Sequence, residues 1–344
     1  MRRLLAFSEG PDFVCYRYRL GAFAAALDAG GWHLELLGRP RTTIEFAAAL
    51  QRMRGADAVV VQRRLLDWPK ATLVRQAART LIYDVDDAVF CRDSNDARSP
   101  AAPLRWRRFR RMVRLADATL AGSSHLVAEA ARCTEPGRVH RVPTCVDPHG
   151  YTRATHDSPA GTARLVWIGS RSTMPSLVEA RECLEAAAAA VPGMSLTVIC
   201  DACPDLGGIP LLARAWSEAT EAQDLATADI GIAWLPDHPW SLGKCGLKVL
   251  QYMAAGLPVV ANGIGIHRAL IEHGVTGYLA DTPAEWRAAI HTLAESPTLR
   301  QRMGAAARAR VDGDWSVRAW GPRLAAILTH AADGRAAARR RTAA

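Results

Sequence analysis

Apolar residues fall in short blocks along the chain, each followed by a longer alanine-rich stretch with helical spacing. Blocks at 3–7, 33–37, 58–61, 80–84, 118–121 and 139–142 read as buried strands, and a second series follows at 163–168, 195–200, 230–234, 258–261 and 278–280. Near-continuous apolar strands alternating with helices are the pattern of a parallel sheet covered on both faces by crossover helices. Between the two series lies TRATHDSPAGT (152–162), with the Gly, Pro and Ser content of a linker. The expectation is an α/β protein of two doubly wound, Rossmann-like domains, 1–155 and 156–314, whose strand C-termini face a central cleft. An amphipathic helix, 315–332, is expected to cross back over the domains, and a basic, disordered tail to occupy 333–344.

A chain of 344 residues, 49% hydrophobic and 22% charged, is long enough for two cores. Its longest uncharged run, 249–267, contains Gly256, Pro258, Gly263 and Gly265, so it reads as helix, turn and strand and not as a bilayer span. The opening MRRLLAFSEGPD has too short an apolar run for a secretory signal, so the expected location is the cytoplasm. Eight cysteines then read as reduced thiols, and the lone pair Cys200 and Cys203 lacks the second pair of a metal site. No metal ligands are assigned.

The net charge of +9 is concentrated in two places: six arginines in RWRRFRRMVR (105–114), and four arginines against one acid after Ala332. The rest of the chain balances, so a general nucleic-acid-binding surface is not expected. Trp106, Phe109, Val113 and Ala116 fall at helical spacing among the six arginines. Such a basic amphipathic helix suits an anionic membrane surface at the inner face of the plasma membrane. An RNA backbone and plain solvent are its alternatives.

The sharpest chemistry lies in GKCGLKVLQYMAAGLPVVA (243–261). Gly243-Lys244-Cys245-Gly246 precedes a helix running from about Leu247 to Ala255, and Lys244 and Lys248 are one turn apart at its start. A helix N-terminus offers free N–H groups and a positive dipole end, and glycine lets a ligand approach the backbone. A diphosphate would satisfy the amides near Gly246 and both lysines; the alternative is two solvated lysines beside a turn.

The segment 243–280 resembles the donor-site signature of family 4 retaining glycosyltransferases of the GT-B fold. VPTCVDPHGY, LVWIGSR and ADIGIAWLPD extend the resemblance over most of the chain. It implies a metal-free enzyme with no resident cofactor, taking a nucleotide sugar as co-substrate. Two departures stand out. Where the family carries two glutamates flanking seven residues, this chain has Gly243 and Gln251. Gln251 can still hydrogen-bond a donor ribose, and Asp237 or Trp240 would take over the sugar contact that Gly243 cannot make. The family's positive pair after the opening strand of the donor domain survives as Arg171 alone, with Leu177 in place of the lysine, and Lys244 and Lys248 would restore the charge. Trp216 and Glu221 fall where the family's base and ribose contacts lie.

On the acceptor side, Asp84, Asp86 and Asp87 crowd the end of the strand TLIYD, which is costly unless they meet cations, donors or substrate. Asp86 and Asp87 would contact sugar hydroxyls or activate the acceptor; helix capping is the alternative. SEGPDFVCYRYR (8–19) stands where relatives carry a Gly-rich loop near the donor phosphates, which makes Gly10, Arg17 and Arg19 candidates, against outward-facing arginines. His267 is either a donor-sugar contact or a bystander.

The resemblance implies transfer of a sugar from a UDP- or GDP-sugar to a glycan, lipid-linked or small-molecule acceptor hydroxyl with retention, in cell-surface polysaccharide or glycoconjugate synthesis. Asp86, Asp87, Arg171 and Lys244 would be its catalytic groups. A GT-B sugar-nucleotide epimerase or phosphorylase, and a non-catalytic nucleotide- or glycan-binding protein, are the rivals.

Overall fold

The computed structural model describes residues 1–343. Every strand expected from the apolar blocks forms, and the strands assemble into two six-stranded sheets, parallel throughout. The chain divides into two compact units: Met1–Cys145 with Leu242–Cys245 and Val317–Ala344, and Val146–Ser241 with Gly246–Ser316.

In the first unit, β1 (Arg2–Phe7), β2 (Trp32–Leu37), β3 (Ala58–Gln62), β4 (Leu81–Val85), β5 (Ala118–Ala121) and β6 (Val139–Arg141) lie in the order β2-β1-β3-β4-β5-β6. Leu4 pairs with Leu34 on one side and Ala58 on the other, and Ile82 with Val60 and Ala118. These inward residues meet Phe23, Leu27 and Trp32, and also Leu324 and Leu328 of the C-terminal helix Val317–Ala343. That helix returns to the first unit at close range: a Cβ on Gly321 would lie 2.4 Å from Ala26, and one on Gly30 2.5 Å from Ala325.

The second unit is built on β7 (Thr162–Ile168), β8 (Gly193–Ile199), β9 (Leu211–Arg214), β10 (Ile230–Ala233), β11 (Val259–Ala261) and β12 (Gly277–Leu279). Their order, β12-β11-β10-β7-β8-β9, is that of a Rossmann sheet with β7 as its first strand. The edge strand β9 went unforeseen. It pairs with β8 through its backbone, while Leu212 is half exposed, so burial imposes no apolar pattern on it.

Three expectations are revised. The second unit begins at Val146 and not near 156, because the linker is clamped to it. Val146 bridges to Ser316, Ala154 N–H donates to Ala255 O at 2.9 Å, and Arg308 and the fully buried Arg300 donate to the carbonyls of Tyr151 and Ser158. The basic tail, as far as it is described, continues the C-terminal helix to Ala343; Ala344 lies outside the described residues. Alanine and arginine are strong helix formers, and Asp333 and Arg335 pair with Arg2 and Asp117. Finally, the apolar face of the arginine helix Pro103–Leu115 is core: Phe109, Met112 and Val113 are buried, and Trp106 stacks on Phe109. Its outward face carries arginines, without an apolar stripe to insert into a membrane. Among the described residues, no helix is long and apolar enough to cross one.

Candidate functional site

Ligands of open α/β sheets bind beyond the strand C-termini where the strand order reverses. In the first unit this point lies between β1 and β3, and in the second between β7 and β10.

At the first reversal the chain gathers buried charge. Arg63, the residue after β3, has φ 58°, a left-handed backbone rare for a residue with a Cβ, and its N–H donates to Asp84 O at 2.8 Å. Its guanidinium donates to Cys15 Sγ at 2.6 Å and to Asp87 Oδ2 at 2.8 Å, and its Nε lies 3.3 Å from Asp86 Oδ1. Lys244 Nζ is 3.2 Å from Asp87 Oδ1. Burial pushes both carboxyls up. On Asp86 the charges of Arg63 and Arg19 more than offset it and hold its pKa below the ordinary range. On Asp87 burial prevails over Lys244 and Arg63, and the pKa stays raised.

The loop Leu242–Cys245 docks here because two glycines leave room. A Cβ on Gly122 would meet Cys245 Sγ at 2.3 Å, and one on Gly243 would meet the Ala88 backbone nitrogen at 2.4 Å. Cys245 Sγ donates to Asp86 O at 3.0 Å. A glutamate at 243 has no space, which accounts for its absence.

Two acceptor-side candidates turn inward. Arg19 and Asp84 form a buried ion pair at 2.5 Å, completed by Arg19 donating to Val142 O and Gln62 donating to Asp84. Buried and paired with each other, they brace the strand ends. Arg17 lies over the Tyr18 ring, and Gly10 sits in an open turn with nothing near its Cβ direction.

In the second unit, β7 ends in Gly169-Ser170-Arg171. Arg171 is exposed and pairs with Asp201 at 2.9 Å, whereas Leu177, at the missing lysine position, is core. Gly246 opens the helix Leu247–Ala254 with φ 71°, and a Cβ there would lie 2.4 Å from Leu270. Lys248, in the first turn, rests 4.3 Å from the centroid of the buried Trp167 ring. Lys244 precedes the helix and engages Asp87, so the two lysines have different partners in place of one shared face. Gln251 is buried on the same helix. Trp216, half exposed, donates its indole N–H to the buried Glu221 at 2.8 Å, so these candidates act as a pair. Asp237 is exposed and Trp240 buried. His267 is buried, bonded through Nδ1 to Asn262 O at 2.9 Å, and burial lowers its pKa to about 4.

Sequence reasoning missed Arg63, Cys15 and Asn262. Asn262 exchanges two hydrogen bonds with the Leu235 backbone and so fixes the loop after β10. The arginine pair after β3 carried no motif; a cation next to a strand end facing three aspartates was the available signal.

Two Rossmann-like sheets, the second with a glycine-opened helix beside its reversal point, define the GT-B fold. Residues 232–310 match the family profile described as glycosyl transferases group 1, bearing out the resemblance carried by the lysine loop. The D-inositol 3-phosphate glycosyltransferase of Thermobispora bispora is 35% identical over 100 residues, 28% of this chain and 22% of that protein. Its counterpart from Kineococcus radiotolerans is 33% identical over 119 residues, 32% of this chain and 26% of that protein. The matched stretch thus spans about a quarter of the length of these curated relatives. Over nearly the whole chain the fold matches Anabaena HepE, solved in complex with UDP and glucose: TM-score 0.68, 17% identity, covering 96% of this chain and 100% of that one. Sucrose-phosphate synthase from Thermosynechococcus elongatus matches at TM-score 0.68 and 16% identity, covering 100% of both chains.

Proposed function

We propose that this protein is a retaining glycosyltransferase that moves a sugar from a UDP- or GDP-sugar to an acceptor hydroxyl in polysaccharide or glycoconjugate synthesis. The observation that carries this reading is the glycosyl transferases group 1 match at 232–310, which contains the Gly246 helix start at the second sheet's reversal point. The HepE complexes with UDP and with UDP-glucose support this choice of donor class. Amides near Gly246 with Lys248 and Arg171 would bind the diphosphate and stabilise the charge that builds on it as the sugar–oxygen bond breaks. Trp216 and Glu221 would hold the nucleoside, and Gln251 the ribose. Asp86 or Asp87 would meet the acceptor hydroxyl. No resident cofactor is required in this scheme. The exposed arginines of Pro103–Leu115 would rest on an anionic membrane surface, which suits a lipid-linked acceptor.

Calorimetric titration with UDP, GDP and ADP, with and without chelator, tests the donor half. We expect micromolar binding of one nucleotide, unaffected by chelator and weakened by about 1–3 kcal/mol in Lys248→Ala. Unchanged affinity in a folded Lys248→Ala protein would remove that lysine from the site. A second reading, a non-catalytic nucleotide-binding protein, is favoured by the packing of Gly243 on Ala88, which leaves no room for the family's first glutamate. Binding without turnover of any nucleotide sugar would select it.

A further inference from the structure

The first unit's reversal point holds a charge arrangement that no motif announced. Arg63 is the only residue besides His156 that combines a side chain with positive φ among the described residues, and it keeps that backbone while its guanidinium contacts three partners. Residues held in sparsely populated backbone regions persist where their surroundings over-determine them, and they cluster at functional sites. Here the surroundings are Asp84 O on the Arg63 N–H, Gln62 O on the next N–H, and Phe13 under the guanidinium at 5.9 Å.

The contacts of Arg63 are unequal. Asp86 receives Nε at 3.3 Å and has its own carbonyl tied to Cys245 Sγ. Asp87 receives a terminal nitrogen at 2.8 Å and lies 3.2 Å from Lys244, whose side chain is nearly a third exposed. Oδ1 of each carboxylate is buried and faces a cation, Arg63 on Asp86 and Lys244 on Asp87. A carboxylate oxygen has lone pairs for a further donor besides the cation it faces, and an acceptor hydroxyl is one.

We propose that Arg63 is a positioning residue that gives the two carboxylates separate roles: Asp86 a fixed counter-charge, Asp87 the carboxyl offered to the acceptor hydroxyl. The inference rests on the glycosyl-transfer reading for the hydroxyl, and on this geometry alone for the division of roles. Asp87 takes up the hydroxyl proton as the new sugar–oxygen bond forms, and the bond to the diphosphate breaks with its electron pair leaving on phosphate oxygen. The groups facing the pair are Cys15 from the helix after β1, Arg63 just after β3, Arg19 with its partner Asp84 behind it, and Lys244 and Cys245 from the docked loop. Of these Arg63, Arg19 and Lys244, and the Cys15 thiol through its hydrogen bond to Asp86, favour the ionised carboxylates. Removing Arg63 must therefore move both titrations to higher pH.

The test is carboxyl-carbon NMR titration of the full chain labelled at aspartate, with Asp86→Asn and Asp87→Asn for assignment, beside the pH profile of kcat/KM for sugar transfer. In Arg63→Gln we expect both midpoints to rise by on the order of one unit. The acid limb of kcat/KM should follow them upward, and the rate should fall about a hundredfold as the carboxyl loses its orientation. Arg63→Lys, which keeps the charge but not the fork, should return the midpoints toward the parent while recovering only part of the rate. Unmoved midpoints in Arg63→Gln overturn the proposal. So does a slower enzyme whose acid limb stays in place, as a merely structural role would leave it, and so does full rescue by lysine. The midpoints are read without substrate, so they decide the hold of Arg63 on the pair even if the parent transfers no sugar, a failure that would count against the glycosyl-transfer reading.

Discussion

A Cβ on Gly243 would lie 2.4 Å from the Ala88 nitrogen and 2.6 Å from its Cβ, so restoring the family glutamate there requires backbone to move. Gly243→Glu should lower stability by about 1–3 kcal/mol, read from a denaturant melt, and should not raise transfer. His267 is buried in the second unit. Its pKa of about 4 lies below the ordinary histidine value near 6.5, so the unfolded chain binds the proton first. The stability it contributes is complete above about pH 6.5 and is lost as pH falls toward 4. A His267→Gln variant should show a flatter loss of urea midpoint across that window; an identical slope would mean that His267 is not buried neutral. Arg63 makes the opposite kind of demand, a side chain required at a backbone that prefers glycine. Arg63→Gly should be more stable than Arg63→Gln by about 1 kcal/mol, with both lacking the hold on Asp86 and Asp87.

Elements carry the next set of consequences. The helix Pro103–Leu115 has two faces with separate duties. Phe109→Ala should cost about 3–5 kcal/mol because its ring is fully buried against Tyr83, Phe90 and Trp106. Replacing the exposed Arg105, Arg107 and Arg110 together with glutamine should leave the melt nearly unchanged but release the protein from anionic vesicles. Retention on vesicles by that variant would end the membrane reading. The helix Leu247–Ala254 was legible from its glycines, lysines and apolar spacing, because Gly246 must adopt φ 71° and the next turns must face a core. The edge strand β9 was not legible, since an exposed strand obeys its neighbour's hydrogen bonds and not a burial pattern.

At the scale of the molecule, the chain's two ends meet in one unit. The C-terminal helix supplies Leu324, Ala325 and Leu328 to the core built on β1. Ending the chain at Ser316 should therefore abolish the calorimetric transition of the first unit and leave that of the second. Ending it at Ala332 removes the Arg2–Asp333 and Arg335–Asp117 pairs, partly exposed contacts of about 0–1 kcal/mol each, and should leave that transition in place. If the Ser316 truncation melts like the full chain, the helix is not part of that core.

The sequence by itself determined the two parallel sheets, their strands except the edge strand β9, and the glycine-opened lysine loop, because periodicity, burial and backbone freedom are written locally. It also placed Asp86 and Asp87 beside a strand end. Only the tertiary structure decided which charges meet: that Arg19 and Asp84 neutralise each other in the interior, that Lys244 turns to Asp87 while Lys248 lies on Trp167, and that Arg63 holds the carboxylate pair. Charge pairing depends on distances between segments far apart in the chain, and Coulomb energy in a buried setting changes with every ångström. Spacing along the sequence holds no record of those distances.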